Sequence, residues 1–354
     1  MVTIRDVARE AAVSVASASR ALNGHDNVTP ATRERVHAAA QRLRYVPHSG
    51  ARSLTRRKTD SIGVVLPDLF GEFFSELIRG IDRIAHAHGL QLLLSNMHGN
   101  PHEATSAVRA MRGRVDGLLV MTPDIQREPL FDALSPDHPS VLLNYHDTIP
   151  GMASVGIDNE GGARAMTDFL IARGYRRIAF VSGPRDNRDS AARQAGFVSA
   201  LAAATGERQP IIVAGDFSEA SGAEAAHLLI AGRMPVDAIF CANDMMAVGC
   251  CGVLADAGIT VGEDIGVAGF DDIPIAHYIS PALTTMNARI AELGATAAQK
   301  LIALITDPSL PRDATILAPE LIARQSTARR PAQRFDETTT DQSRRGVRHE
   351  QFKA

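Results

Sequence analysis

Short apolar runs alternate with amphipathic helical segments through most of this chain, in two successive sets. The runs are SIGVVLP, LQLLLS, VDGLLVM and SVLLNY in the first set, and RRIAFVSG, PIIVAG, DAIFCAN and DIGVAGFDD in the second. The predicted helices cover residues 72–88, 101–113, 160–174, 189–205, 219–232, 244–257 and about 289–306, and ATILAPELIARQS is expected to add terminal strands. Continuous apolar runs separated by crossover helices are typical of buried parallel strands. The pattern predicts an α/β fold with two lobes, each built on a doubly wound parallel sheet.

The first 46 residues follow a different pattern, that of three short helices. Thr3, Ser14 and Thr29 are each placed to cap one of these helices, and Asn23-Gly24 ends the second. The residues between the first two helices are small, so the two helices can approach each other closely. This arrangement predicts a helix-turn-helix domain.

The net charge of −3 hides an asymmetry between this head and the rest of the chain. Residues 1–58 contain eleven Lys or Arg and four Asp or Glu, which gives +7. The remainder contains 26 basic and 36 acidic residues, which gives −10. A basic head on an acidic body indicates that the head is the part that binds a polyanion.

The domain boundaries follow from these changes of pattern. We expect a helix-turn-helix domain over 1–46, a polar and basic hinge over 47–59, a core over 60–328 and a disordered, polar tail over 329–354. Within the core, the N-lobe is predicted to contain about 60–157 and 289–318, and the C-lobe about 158–288 and 319–328.

Composition and motifs exclude several classes of protein. The 354 residues are 45% hydrophobic and 22% charged, as in globular proteins, and no run of 18 apolar residues predicts a membrane span. Cys241, Cys250 and Cys251 form no CxxC motif and no apolar signal region precedes the head, so we expect a cytoplasmic protein. His86 and His88 face different sides of a predicted helix and cannot share a metal ion. The chain is not expected to be an enzyme, and neither a metal site nor a cofactor is predicted.

The second predicted helix carries groups that suit DNA contact. Hydroxyls and a positive charge for phosphates are offered by Ser14, Ser17, Ser19 and Arg20. Val15 and Ala16 lie at its amino end, where a recognition helix first meets base edges. Because both are small and apolar, they would read DNA shape and thymine methyl groups more than donor and acceptor patterns. The alternative is that the head is an ordinary solvated helical hairpin.

Longer motifs run through the head and the core. The head contains DVA, VTPATRERV and LRYVP, and the core contains IGVVLPDLFGEFFSELIRGI, ARGYRRIAFVSG, DAIFCANDMMAVG and IGVAGFDDIPIAHYISPALTTM. Over roughly residues 3–328 these motifs resemble the LacI/GalR family of bacterial transcriptional regulators. The resemblance implies a hinge helix after the head and a core like that of periplasmic sugar-binding proteins.

The resemblance also implies which residues contact DNA. The hinge would be ordered only on operator DNA, with Leu54 wedged into a central base step of the minor groove. Alternatively, Leu54 packs on the lobe below. The complete set of predicted DNA-binding residues is Thr3, Ser14, Val15, Ala16, Ser17, Ser19, Arg20, Asn23, Asn27, Thr32, Ala51 and Leu54.

Effector-binding residues are expected where strands of the two lobes end, in the cleft that the resemblance implies. The predicted set is Phe73, Phe74, Asn144, Arg193, Phe217, Asn243 and Asp271. Aromatic faces stack on sugars or bases, whereas charged and amide groups bind hydroxyls or ring nitrogens. Phe73 also suits the core, Asp244 is expected to cap the helix that begins there, and Asp272 is expected to cap a loop. A sugar or sugar acid is the favoured effector, and a purine or nucleoside is the alternative.

The resulting hypothesis is a transcriptional regulator that acts as a repressor and binds a pseudo-palindromic operator as a homodimer. Its affinity for DNA would depend on the effector, provided that the effector binds two arrangements of the protein with different affinity. A solute-binding protein is a further alternative, which matches the core and is contradicted by the head.

Overall fold

The computed structural model describes residues 2–46, 58–98, 101–121, 133–134, 138–145, 149–206, 209–232 and 235–328. Most of the predicted hinge and the whole predicted tail lie outside these residues. The chain divides into two compact units. The first unit contains the chain up to Asp158, Asp186–Asp189 and Ala288–Pro319, and the second contains Asn159–Arg185, Ser190–Asn287 and the segment that begins at Glu320. Within the described ranges, no helix combines the length and the apolar character needed to cross a lipid bilayer.

Three helices form the head: α1 (Ile4–Glu10), α2 (Val15–Leu22) and α3 (Pro30–Arg42). Ser14 and Thr29 cap α2 and α3 by accepting backbone N–H groups three residues ahead. The head core is made almost entirely of Ala and Val side chains, namely Val7, Ala8, Ala11, Ala18, Ala21, Val28, Val36, Ala39 and Ala40. Because these side chains are short, the helices pack closely around little volume.

The sheet of the first unit has six parallel strands in the order β11-β5-β4-β3-β1-β2. These are β1 (Ser61–Leu66), β2 (Gln91–Asn96), β3 (Gly117–Met121), β4 (Ser140–Leu143), β5 (Ala153–Ile157) and β11 (Ala314–Leu317). Its helices are α4 (Glu72–Ala87), α5 (Pro101–Met111) and α11 (Ile290–Thr306). Strand order reverses between β1 and β3, so a topological switch point lies at their carboxyl ends.

The second unit has a four-stranded parallel sheet in the order β7-β6-β8-β9 and a two-stranded antiparallel sheet. Its strands are β6 (Ile178–Ser182), β7 (Ile211–Ala214), β8 (Ala238–Cys241), β9 (Gly266–Ala268), β10 (Thr285–Asn287) and β12 (Glu320–Ile322). Its helices are α6 (Asn159–Ala172), α7 (Arg188–Thr205, whose first two residues lie in the first unit), α8 (Glu219–Ala231), α9 (Asp244–Asp256) and α10 (Ile275–Tyr278). Here the order reverses between β6 and β8.

The predicted fold class is confirmed by this architecture, and each apolar run listed above contains a strand. Strands β5 and β10 and helix α10 were not predicted. Helix α10 has four residues, about one turn, so its pattern spans too few positions to show a helical period. The division into units also contains one segment, Asp186–Asp189, that packs with the first unit although it follows a strand of the second.

Candidate functional site

The predicted DNA-contacting face of the head is the side of α2 that points away from the head core. Ala18 and Ala21 are fully buried, and a helical period places four residues on the opposite side, namely Ala16, Ser19, Arg20 and Asn23. Val15 begins the helix and is 44% exposed. Thr3, Arg20 and Asn27 are exposed as well. The structure therefore presents the predicted groups of α2 on an accessible surface.

Several of the predicted polar groups hydrogen bond within the head. The Ser14 hydroxyl accepts the Ser17 backbone N–H at 3.1 Å and lies 2.9 Å from the Ser17 hydroxyl. Asn23 donates to Ser19 at 3.3 Å. Thr32 receives a bond from the hydroxyl of Thr29 at 3.0 Å. These hydroxyls thus stabilise helix ends as well as facing outward.

The cap of α1 pairs Thr3, the predicted cap residue, with Asp6. The Asp6 carboxylate accepts the Thr3 backbone N–H at 2.9 Å and the Thr3 hydroxyl at 2.7 Å. These bonds to the Thr3 side chain and backbone hold the pKa of Asp6 below its usual value. Ala51 and Leu54, predicted in the hinge, lie outside the described residues.

Three predicted effector-binding residues lie in the first unit and form the first candidate set: Phe73, Phe74 and Asn144. The two Phe side chains belong to the first turn of α4 and are half-buried. Their ring centroids are 5.4 Å apart, and the ring planes meet at 84°, an edge-to-face arrangement. Neither ring lies in the buried core, which is the alternative that the sequence leaves open for Phe73.

Asn144 directly follows β4, and one of its buried atoms has no partner among the residues that the structure describes. Its backbone is in the left-handed region (φ 52°), a conformation that Asn adopts more readily than most residues. The side chain is 7% exposed, and its amide nitrogen donates to the carboxylate of Asp189. None of the described residues donates a hydrogen bond to the Asn144 Oδ1 oxygen. A buried acceptor left in this state is costly unless a ligand or water satisfies it.

Four predicted residues lie in the second unit and form the second candidate set: Arg193, Phe217, Asn243 and Asp271. The guanidinium of Arg193, on α7, is 3% exposed. Its Nη2 lies 3.1 Å from the Asp271 carboxylate, and its Nη1 donates to the Ala242 carbonyl at 2.6 Å. It also stacks 3.9 Å above the ring of Phe270. The charge of Arg193 is therefore balanced inside the protein.

The Asn243 side chain holds two elements of the second candidate set together. It is the N-cap of α9, because its Oδ1 accepts the Met246 N–H at 3.0 Å. Its amide nitrogen donates to the Phe217 carbonyl at 3.0 Å. The Phe217 ring covers Gly183 at the end of β6, where a Cβ would come within 2.4 Å of the ring. Phe217 and Asn243 thus meet at the switch point of the second sheet.

Two expectations for neighbouring acids are wrong. Asp244 does not cap α9; it is fully buried and accepts bonds from the Ile273 N–H and the Thr285 hydroxyl. Burial, with Asp271 nearby, raises the pKa of Asp244 well above its usual value. Asp272 does not cap a loop but pairs with Arg324 at 2.7 Å. In both cases the carboxylate binds a partner that is distant in sequence.

Four residues near the candidate sets were not predicted. Asn159 accepts from Arg193 at 2.7 Å, and Asp189 binds Asn144. Arg188 stacks 4.8 Å above the Tyr145 ring. Phe70, in the loop after β1, is 80% exposed. The sequence signal for Arg188 and Asp189 was the polar stretch PRDNRDS directly after β6, at the carboxyl end of a strand.

Two family models match the chain. Residues 3–48 match the model for bacterial regulatory proteins of the lacI family, and residues 167–327 match a periplasmic binding protein-like domain. The chain is 36% identical over 330 residues to the HTH-type transcriptional repressor PurR of Photobacterium profundum, an alignment that covers 92% of this chain and 98% of the relative.

Solved structures of similar proteins cover the same length. A lac repressor dimer bound to operator and the anti-inducer ONPF matches with a TM-score of 0.83 and 29% identity, over 92% of this chain and 99% of that one. A complex of the transcriptional regulator CelR with cellobiose matches with a TM-score of 0.68 and 32% identity, over 92% and 100%. Head, sheets and overall length agree with one family, and the chain therefore belongs to the lacI family of bacterial regulatory proteins.

Proposed function

We propose that this protein is a DNA-binding transcriptional repressor that binds a pseudo-palindromic operator as a homodimer and responds to a neutral sugar. The observation that carries the DNA-binding part is the head, in which a core of Ala and Val turns the outer face of α2 toward solvent within the match to the lacI family model. The similar lac repressor structure, a dimer on its operator, supports the dimeric mode. Regulation of transcription accords with the expected cytoplasmic, nucleoid-associated location.

In this proposal, α2 lies in the major groove and the other predicted head residues contact the DNA backbone. Arg20 supplies charge for a phosphate, and Asn27 is exposed beyond the end of α2. Leu54 and Ala51 are assigned to the hinge and the minor groove, on the sequence resemblance alone. Phosphate contacts make binding steeply dependent on salt, so affinities must be compared at one salt concentration.

The chemistry of the two candidate sets supports a sugar as the effector. Asn144 offers a buried acceptor, and Arg193 and Asp271 place donors beside acceptors at the second set. Sugar hydroxyls donate and accept at once, and the faces of their rings stack on aromatic side chains such as Phe217. Because Asp271 already balances the charge of Arg193, a neutral sugar fits better than a sugar acid. The similar complex of CelR with cellobiose accords with this choice.

A purine or nucleoside is the second candidate, since paired aromatic rings can hold a base. The edge-to-face geometry of Phe73 and Phe74 favours it less, because rings at 84° offer no two parallel faces for stacking.

A selection experiment tests the DNA-binding part. The purified full-length protein is incubated with a pool of random duplexes, without small molecules and again with a mixture of sugars and purines, and bound duplexes are sequenced. We expect enrichment of an inverted repeat with one half-site per protomer. Enrichment of no sequence under either condition would contradict the proposal.

A thermal-shift screen tests the effector part. Neutral pentoses, hexoses and disaccharides, sugar acids and purines are added to the full-length protein one at a time. We expect a neutral sugar to raise the melting temperature in a concentration-dependent way and to change the affinity for the selected operator. A response to purines alone would support the second candidate instead.

A further inference from the structure

A basic surface lies at the amino ends of β1, β3 and β4, where the hinge joins the core. These strands are parallel neighbours, so the segments that lead into them lie side by side. Before β3, the Asp116 carboxylate accepts the Thr59 backbone N–H at 2.6 Å and the Thr59 hydroxyl at 2.9 Å. The end of the predicted hinge is therefore fixed to this part of the sheet. Four exposed cations belong to these segments, and we call them the basic edge: Lys58, Arg109, Arg112 and Arg114.

The charge of the basic edge is not balanced within the described part of the chain. None of its four side chains forms an ion pair with a described residue, whereas Arg79 and Arg289 of the same unit pair with glutamates on their own helices. Asp60 and Asp116 leave a net charge of +2 on the described residues of these segments. Burial, with Arg112 nearby, lowers the pKa of His138, so this side chain adds no charge at neutral pH.

Two cations of the basic edge also have roles inside the unit. Arg109 lies in the last turn of α5, where the carbonyl groups of a helix end attract cations. Arg112 donates to the Ala133 carbonyl at 2.6 Å. Neither role applies to Arg114, which lies beyond the helix, or to Lys58, which belongs to the hinge segment. Exposed cations of this kind suit an external polyanion.

The polyanion that the basic edge suits best is the duplex held by the head. Eleven residues, 47–57, join the head to Lys58, so a fully extended chain places the basic edge at most about 40 Å from the end of the head. A helical hinge of this length would shorten that distance to about 17 Å. A duplex carries one phosphate charge about every 1.7 Å along its axis. When the head is bound to DNA, the basic edge therefore stays within reach of the same duplex.

We propose that the basic edge is a second DNA-contacting surface, at which Arg114 of each protomer holds an operator phosphate outside the contacts of the head. The inference rests on the proposed binding of operator DNA by a homodimer. Because a phosphate contact carries no sequence information, the basic edge adds affinity and salt dependence to binding and leaves the choice of sequence to the head and hinge.

The test measures the affinity of the full-length protein for the selected duplex by fluorescence anisotropy between about 50 and 200 mM salt. Each phosphate contact contributes about 0.9 to the slope of log affinity against log salt. Arg114→Ala removes two contacts from a dimer, so the slope should fall by about 1.8, and this rise in salt should cost the variant about twelvefold less affinity than it costs the wild type. Arg114→Lys keeps the charge and should keep the slope.

Arg177→Ala is the matched control in the second unit. Arg177 is exposed directly before β6, at the amino end of the second sheet, and its substitution removes the same charge. This variant should have the slope of the wild type. A slope that is unchanged in Arg114→Ala, or that falls equally in Arg177→Ala, would overturn the inference while the proposed function stands.

Duplexes with a single uncharged methylphosphonate locate the contact. At one position in each half-site, the methylphosphonate should weaken binding of the wild type and of Arg20→Ala but not of Arg114→Ala, because only Arg114→Ala lacks the cation that holds this phosphate. If Arg114→Ala is as sensitive as the wild type at every position, the basic edge does not contact the operator. If the selection enriches no duplex, the inference and the proposed function both fall.

Discussion

The two candidate sets differ in how far the protein itself occupies their polar groups. In the second set, Arg193 is held by Asp271, Asn159 and the Ala242 carbonyl, and Asn243 holds Phe217. In the first set, Asn144 keeps an acceptor that no described residue satisfies. The second set is therefore part of the framework of its unit, whereas the first is open to a ligand. Substitutions in the second set should cost stability as well as binding, and those in the first should mainly cost binding.

The largest effect is expected for Arg193→Ala. Removal of the guanidinium leaves the carboxylate of Asp271 buried without its cation and takes donors from Asn159 and Ala242, so the second unit should lose about 3–5 kcal/mol of stability. Urea unfolding measures the loss in the free energy of unfolding. Hydrogen exchange resolved by peptide shows whether this loss is confined to the second unit. In Arg193→Ala/Asp271→Ala the combined loss should be smaller than the sum of the single losses, and a simple sum would mean that the two side chains are not coupled.

The next largest loss of stability is expected where α8, which follows Phe217, packs against α9, which Asn243 caps. A Cβ at Gly249 of α9 would lie 1.9 Å from the Glu219 carbonyl oxygen of α8, so Gly249→Ala must push the helices apart. We expect a loss of about 2–3 kcal/mol and weaker effector binding, because Asn243 moves with α9. Thermal unfolding measures the loss of stability, and calorimetric titration with the sugar identified in the screen measures the loss of affinity.

Gly252→Ala is the matched control in the same helix. No atom of the described residues lies within 4 Å of a Cβ at this position, and Ala favours a helix over Gly by about 1 kcal/mol. This variant should be as stable as the wild type or more so. Equal destabilisation by both substitutions would mean that the close approach of α8 and α9 does not matter.

The free energy of unfolding of the second unit should depend on pH through Asp244. The pKa of Asp244 is raised by burial, so the protonated carboxyl is the form that the folded second unit favours. Its contribution is fully present below the usual pKa of 3.8 and is lost as the pH rises toward the raised value, by at most about 1.4 kcal/mol per pH unit. Urea unfolding from pH 5 to pH 8 should show a downward slope in the wild type that is reduced in Asp244→Asn. Parallel pH profiles of the two proteins would contradict the assignment.

The elements that the sequence predicts well are those whose cause is local. Caps at Ser14 and Thr29 act within three residues, and the apolar runs of the strands are continuous, so the head and both parallel sheets could be predicted. The positions of candidate side chains at strand ends follow from the same pattern.

What could not be predicted depends on partners that are distant in sequence. Asp244 follows Asn243, and both residue types cap helices, so only the approach of Ile273 and Thr285 decides that Asn243 is the cap. The pairing of Asn144 with Asp189 likewise joins residues 45 positions apart. Whether a polar side chain is occupied or open is a property of packing, and that is the difference on which the comparison of the two sets depends.

The smallest effect on stability, and the most selective one on binding, is expected for Asn144→Gly. Glycine tolerates the positive φ of this position, so the variant loses the side-chain bond to Asp189 and some chain entropy, about 1 kcal/mol in all. The affinity for the sugar should nevertheless fall about tenfold, because the acceptor at Oδ1 is gone. Asp60→Gly, also at a positive φ (51°) but before β1, is the control and should bind the sugar like the wild type. Unchanged affinity in Asn144→Gly would show that the open oxygen is not a ligand contact, and the contrast between the two sets would then be one of stability alone.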